Sequence, residues 1–152
     1  IWDQLLSQKI LQYGVADDDT HDLVRTVRDL GYPPRPPGKG WVQVLGDSRK
    51  FFNEKQICQN LKKGLFYSST GVELTKISVT KSHYKVRVNN FVHGKKVTKK
   101  EVNIQFIGKN GKILKSVKGF SAAYRPKLSD LYVRIKITVG EFSAWTQPVF
   151  LQ

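Results

Sequence analysis

A run of acidic side chains followed by a histidine is the strongest candidate for chemistry in this sequence. The residues are Asp17, Asp18, Asp19 and His21, and they follow a short apolar stretch at 15–16 that predicts a buried strand. Carboxylate and imidazole groups two residues apart, at the end of a parallel strand, can converge on one divalent metal ion. The same acids can instead cap the helix that follows, and spacing alone favours that capping role.

Two cations on the next loop are candidates for contact with an anionic substrate. Residues 32–40 contain four prolines and two glycines, which is a composition that predicts a loop. Arg35 and Lys39 lie on this loop and could meet a phosphate or another anion. A solvated surface position is the more ordinary role of a loop cation, so the sequence leaves both assignments open.

The first half of the chain alternates helix and strand signals that would position these residues. In chain order the predicted elements are a helix at 2–12, a strand at 15–16, a helix at 22–30, a strand at 41–44, a helix at 53–64 and a strand at 65–68. Asn53 has the position of a helix N-cap. Such alternation is typical of an α/β fold with a parallel sheet. Three short strands make a poor sheet of their own, so we expect this half to be incomplete.

The second half has the pattern of an antiparallel β domain. Alternating or β-rich runs predict strands at 74–80, 84–90, 101–107, 112–118, 131–139 and 142–150. Asn110 and Gly111 lie between two of these runs and predict a tight hairpin. Six short strands in about eighty residues favour a sandwich-like domain. Trp145 is expected to pack in its core.

The charge distribution also divides the chain near residue 72. Residues 1–72 carry 10 Lys and Arg against 8 Asp and Glu, whereas residues 73–152 carry 16 against 4. A surplus of this size can attract nucleic acid or an acidic glycan. Lysines along antiparallel strands also keep a sheet soluble, and this second explanation is the more usual one. We therefore predict domains at 1–72 and 73–152. For the second, binding of nucleic acid or an acidic glycan and structural shielding of the first are alternatives to a lysine-rich face that only maintains solubility.

Several classes of protein are disfavoured by the composition. No apolar run approaches the roughly 20 residues that a membrane-spanning helix needs, and no secretory signal is visible. The single cysteine, Cys58, excludes an internal disulfide and is expected to be a small buried apolar residue on its helix. These features predict a cytoplasmic protein without a membrane segment.

Several segments, taken in order, resemble the polymerase-and-histidinol-phosphatase (PHP) superfamily of metal-dependent phosphoesterases. Residues 13–22 resemble its last metal-binding motif, in which a strand ends in acids and an Asp-x-His pair supplies ligands. Further similarities are found at 2–6 (the helix before the motif), 37–42 (the loop and strand after it), 60–71 (the closing helix and strand), and 132–134 with 144–149 (the β extension of a carbaryl-hydrolase-like subfamily). The resemblance covers most of the chain.

The resemblance implies a fold and a site. Residues 1–72 would be an α/β remnant, the closing β/α units of a PHP-type distorted barrel, followed by an all-β antiparallel sandwich-like domain. Asp19 and His21 would be metal ligands, with Asp18 beside them. Asp18, together with the loop cations Arg35 and Lys39, is a candidate for substrate binding. The complete enzyme would hold divalent Zn, Mn, Fe or Mg ions that activate a water for hydrolysis of a phosphoester or another ester.

The ligand set that the resemblance implies is incomplete in this chain. The earlier motifs of the family, an N-terminal His-x-His and a middle acid, have no counterpart in the sequence, and the only other histidines are His83 and His93. Two protein ligands cannot hold a catalytic ion tightly. We therefore expect a C-terminal portion that is inactive alone and whose partner is the missing N-terminal part of the PHP domain.

Overall fold

Antiparallel β-sheet makes up most of the described chain. The computed structural model describes residues 1–20, 31, 37–46, 53–80 and 82–151. The helix predicted at 22–30 and the candidate residues His21 and Arg35 lie outside these ranges.

Two α-helices and eleven strands are present in the described residues. The helices are α1 (Trp2–Ser7) and α2 (Glu54–Lys62). The strands are β1 (Trp41–Val44), β2 (Phe66–Ser69), β3 (Val72–Val79), β4 (Tyr84–Val92), β5 (Lys95–Lys96), β6 (Val102–Ile107), β7 (Ile113–Lys118), β8 (Ser121–Tyr124), β9 (Tyr132–Val139), β10 (Phe142–Thr146) and β11 (Val149–Phe150).

The strands form a large and a small sheet. The order in the large sheet is β1-β2-β10-β9-β6-β7, and β11 pairs with the start of β9. In the small sheet β4 is central, with β3 along one edge and with β8 and β5 along the other. All of these pairings are antiparallel, so the predicted antiparallel β part is confirmed.

The first-half strands do not pair as predicted. β1 and β2 run antiparallel, with Val42 opposite Ser68, and β2 then pairs with β10, with Trp145 opposite Ser68. The prediction of a parallel sheet was therefore wrong for these strands, and residues 15–16 do not form a strand. The order of helix and strand signals does not specify strand direction, and here the partner of β2 lies more than seventy residues further along the chain. The domain boundary at residue 72 stays a prediction. Strands from both sides of it, β2 and β10, pair in one sheet.

The core lies between the two sheets and follows the period-two pattern of the sequence. On β9, Val133, Ile135, Ile137 and Val139 are at most 4% exposed. They pack in one cluster with residues of β4 and β6. Burial of each such side chain stabilises the fold by about 1.5–3 kcal/mol, so this strand contributes strongly to the free energy of folding.

The predicted hairpin between β6 and β7 is confirmed. Asn110 and Gly111 have φ angles of 58° and 73°, and β6 pairs antiparallel with β7 on either side of them. Glycine and asparagine reach this left-handed region at little cost, which is why this pair favours a tight reversal of the chain.

The two helices depart from their predictions in different ways. Asn53 caps α2 as expected, because its side chain accepts a 2.9 Å hydrogen bond from the Gln56 N–H. Cys58 on the same helix is exposed rather than buried, because the helix rests against β1 by only part of its surface. α1 ends at Ser7 instead of residue 12, and Lys9 adopts a left-handed φ of 63° that stops the helix. Within the described part of the chain, neither helix has the length and apolar character to span a membrane.

Candidate functional site

The acidic segment forms a tight turn rather than the end of a strand. The Asp19 N–H donates a 3.0 Å hydrogen bond to the Asp17 side chain, which closes an Asx-type turn. Asp19 has a φ of 52°, a left-handed conformation that aspartate tolerates better than most residues. The Asp17 and Asp19 side chains are exposed, and that of Asp18 is half-buried. Three carboxylates are therefore presented on one short piece of chain.

Asp18 joins this turn to the Pro/Gly loop. Its carboxylate accepts a hydrogen bond from the Gly38 N–H. That bond is the main reason why the pKa of Asp18 lies below its usual value; burial acts in the opposite direction, and a hydrogen bond from the Lys39 backbone helps to lower the pKa. The carboxylate is thus ionised at neutral pH. Two of the predicted site residues, Asp18 and Lys39, are adjacent in the structure although they are 21 positions apart in sequence.

Gly40 explains why the loop can approach the turn so closely. A Cβ atom at this position would lie 2.5 Å from the Asp17 carbonyl oxygen and 3.0 Å from its nitrogen. Any side chain would therefore collide with backbone, which cannot move aside as a flexible side chain can. The loop and the acidic turn form one unit because residue 40 is a glycine.

The segment before the turn is fixed to the outer face of the large sheet through Gly14. The Gly14 N–H donates to Gln147 Oε1 at 2.9 Å, and the Gly14 carbonyl accepts from Gln147 Nε2 at 2.8 Å and from Ser68 Oγ at 2.7 Å. Gln147 and Ser68 are 5% and 2% exposed. Every polar group of the Gln147 amide that faces this segment is therefore satisfied, and the turn begins from a fixed point.

A second attachment holds α1 on the same face of the sheet. Asp3 accepts hydrogen bonds from Arg134 Nε at 2.8 Å, from Arg134 Nη2 at 2.6 Å and from the Tyr132 hydroxyl at 2.7 Å. The Arg134 guanidinium also lies 4.5 Å from the centre of the Trp2 ring. Burial raises the pKa of Asp3, but the bonds from Arg134 and Tyr132 outweigh it, so the pKa lies below its usual value.

A small cavity of about 360 Å³ opens next to the turn. Its walls include Trp2, Trp145, Ser68, Thr70 and Asp17. Trp145 is therefore not part of the core between the sheets, as the sequence suggested, but stands on the outer face of β10. The cavity gives the acidic turn a neighbouring space with two aromatic walls.

A larger cleft among the described residues lies elsewhere. It measures about 610 Å³ and opens between β2, β3 and the chain that follows β10, with Tyr67, Tyr84 and Leu74 among its walls. Asp18, Asp19 and Lys39 do not line it. They do not line the smaller cavity either, but Asp17, their neighbour in the acidic turn, does.

The described residues do not by themselves build a complete metal centre. No group of three or more His, Cys, Asp or Glu side chains with the geometry to hold an ion is found among them. Asp19, one predicted ligand, lies within the described turn, whereas the other, His21, lies outside it, as does Arg35. Carboxylates with one imidazole would suit Zn, Mn or Fe in donor chemistry, but further ligands are needed.

No protein-family model, curated protein or solved structure matches this chain.

Proposed function

We propose that this chain is the C-terminal portion of a metal-dependent phosphoesterase of the PHP class. In this proposal Asp19 and His21 supply the last metal ligands, and Asp18, Arg35 and Lys39 line the substrate side. The chain is inactive alone and acts in the cytoplasm with the N-terminal part of the domain.

The supporting observation is the contact between the acidic turn and the Pro/Gly loop. Asp18 and the backbone of Gly38 and Lys39 are hydrogen-bonded, and Gly40 packs on Asp17. The ionised Asp18 places a negative charge beside the proposed ligand Asp19. The loop brings the exposed Lys39 to the same edge, where a cation can neutralise a phosphate oxygen.

The α/β assignment belongs to the same proposal. Because β1 and β2 pair antiparallel, they would be a closing pair of a distorted barrel rather than two successive parallel units. The large sheet with β9 at its centre would then support the site from behind, through Gln147 and Ser68. The parallel strands of the barrel would come from the N-terminal part.

The chemistry divides between the protein and the metal. A bound divalent ion would activate a water and polarise the phosphoryl oxygen. The residues of this chain have other roles. Asp19 and His21 would bind the ion. Asp18 orders the loop, and Lys39 attracts the anionic substrate. The half-buried Trp2 and Trp145 exclude water from one side of the cavity.

Calorimetric titration with Mn²⁺ or Zn²⁺ tests the ligand assignment. We expect weak binding by the chain alone, and we expect Asp19→Asn and His21→Ala each to abolish it. His83→Ala is the matched control, because His83 lies in the turn between β3 and β4, where its ring contacts Thr80 and Ser82. Equal binding by Asp19→Asn and by the unsubstituted chain would refute the assignment.

Recombination with the N-terminal part tests the activity. A polypeptide carrying the His-x-His and middle acidic motifs should restore hydrolysis of an aryl phosphate when it is mixed with this chain. The His83→Ala chain should restore it equally, and the Asp19→Asn chain should not. If a stably formed complex remains inactive in the presence of metal, the phosphoesterase proposal is wrong.

A further inference from the structure

The outer face of the small sheet carries a concentration of positive charge that the proposed hydrolase does not use. We call this surface the basic face; it consists of the outward side chains Lys76 of β3, Lys85 and Arg87 of β4, and Lys96 of β5, together with Phe91 of β4. The inward residues of β4, Tyr84, Val86 and Val88, are buried in the core, so the alternate residues Lys85 and Arg87 point to solvent.

The strand register places like charges next to each other. Lys76 lies directly opposite Arg87, and both are exposed. The side chains of such a pair start about 4.5–5.5 Å apart, and like charges there destabilise the sheet. Among the described residues the only ion pair is that of Asp3 with Arg134, so none of the cations of the basic face forms an ion pair with an acid in that part of the chain.

Protection of sheet edges does not account for Lys85 and Arg87. Exposed lysines often prevent edge strands from pairing with other chains. Lys85 and Arg87, however, lie on β4, which has β3 on one side and β8 on the other. Ala123 and Ser121 of β8 are opposite them, and Lys115 of β7 extends over this edge to donate to the Ala123 carbonyl at 2.8 Å. A further cation, from the large sheet, therefore lies at the β8 edge.

Phe91 adds an aromatic surface to the same face. Its side chain is 45% exposed, and Lys96 lies directly opposite it. Asn89 lies two residues earlier on the same side of β4 and donates a 2.9 Å hydrogen bond to Glu73. Glu73 is the one acidic side chain of this face within the described chain, and this bond engages its carboxylate. An exposed ring among cations is an arrangement on which an unpaired base can stack while its phosphates meet the charges.

We propose that the basic face binds single-stranded nucleic acid. The cations Lys76, Lys85, Arg87 and Lys96 contact phosphates, and Phe91 stacks on a base. Charge alone would suit any polyanion, but the exposed ring favours a ligand with flat unpaired bases over a sulfated glycan or a duplex. The site lies on the opposite side of the small sheet from the core, so it does not depend on metal binding at the acidic turn.

Fluorescence anisotropy with a labelled single-stranded 20-nucleotide DNA of mixed sequence tests this proposal with the full chain. We expect saturable binding at 50 mM salt that weakens as salt rises. Lys85→Ser with Arg87→Ser should reduce affinity at least tenfold and lower the slope of log K against log[salt] by about 1.4, since each phosphate contact on a single strand contributes about 0.7.

Two further variants separate charge from stacking. Lys55→Ser with Lys62→Ser removes the same charge from exposed positions on α2 and should change affinity less than twofold. Phe91→Ala should weaken DNA binding at least fivefold, but it should leave binding of heparin unchanged. Circular dichroism checks that each variant is folded, and Phe91→Leu provides a second, milder test of the ring.

Three results would overturn the proposal. They are an absence of binding at 50 mM salt, an equal loss in the two double-serine variants, and full DNA affinity in folded Phe91→Ala and Phe91→Leu variants. The last result would leave a surface that attracts polyanions by charge alone, which is not the site proposed.

Discussion

Replacing Gln147 by methionine should release the segment that carries the acidic turn. Methionine has a similar length and volume but cannot make the two hydrogen bonds of the glutamine amide to Gly14. Each bond contributes about 0.5–1.5 kcal/mol, and an unsatisfied buried donor adds to the cost. Gly14 is only half-buried and its carbonyl keeps the bond from Ser68, so we expect a total loss of about 1–2 kcal/mol.

Two assays measure the consequence. Urea unfolding should show the lower free energy of unfolding, and amide hydrogen exchange should be faster at residues 13–19 while β9 stays protected. Gln105→Met is the control, because Gln105 is half-buried on β6 of the same sheet and makes no side-chain hydrogen bond to the described residues. If the two variants have the same stability and the same exchange at 13–19, Gln147 does not position the turn.

Three further substitutions give distinct expected outcomes. Asp3→Ala should lower the free energy of unfolding in urea by about 2–4 kcal/mol, because it leaves the Arg134 guanidinium, 7% exposed, without its carboxylate. The pKa of Asp3 is lowered in the fold, so the stability that Asp3 contributes is present at neutral pH and is lost as the pH falls below about 4. A variant whose stability falls with acid as steeply as that of the unsubstituted chain would contradict this. Burial raises the pKa of Tyr84 to about 12, so the free energy of unfolding should fall between about pH 10 and 12, where only the unfolded chain ionises this tyrosine. Tyr84→Phe should lose less stability over that range, and an unchanged pH profile would be contrary evidence. Gly40→Ala should displace the loop from Asp17 and raise the pKa of Asp18 towards its usual value, as followed by carboxyl NMR, and an unshifted titration would show that the loop tolerates a Cβ atom.

The sequence was most informative where structure depends on local pattern. The alternation on β9, the Asn110 and Gly111 hairpin and the Asn53 cap are all encoded by neighbouring residues, and the structure confirms each of them. At the site, the family resemblance indicated both the acidic run and the Pro/Gly loop. Their contact through Asp18 agrees with a common location, although the metal role itself stays a prediction.

Contacts between distant residues could not be predicted in this way. The direction of β2 depends on its pairing with β10, and the position of Gly14 depends on Gln147, 133 residues away. A buried glutamine after a strand carries no local signal that identifies its partner. Trp145 was expected in the core, but the faces of β10 are set by Ala144 and Thr146, which point inward and leave Trp145 on the outside.

The metal content of the purified 17.4 kDa chain, measured together with its intact mass, tests the central claim most directly. The incomplete-site account predicts less than one equivalent of Zn, Mn, Fe or Mg on the chain alone, and a rise to two or three equivalents when the N-terminal part is added. Stoichiometric, tightly bound metal on the isolated chain would contradict it, because two ligands, Asp19 and His21, do not hold an ion tightly.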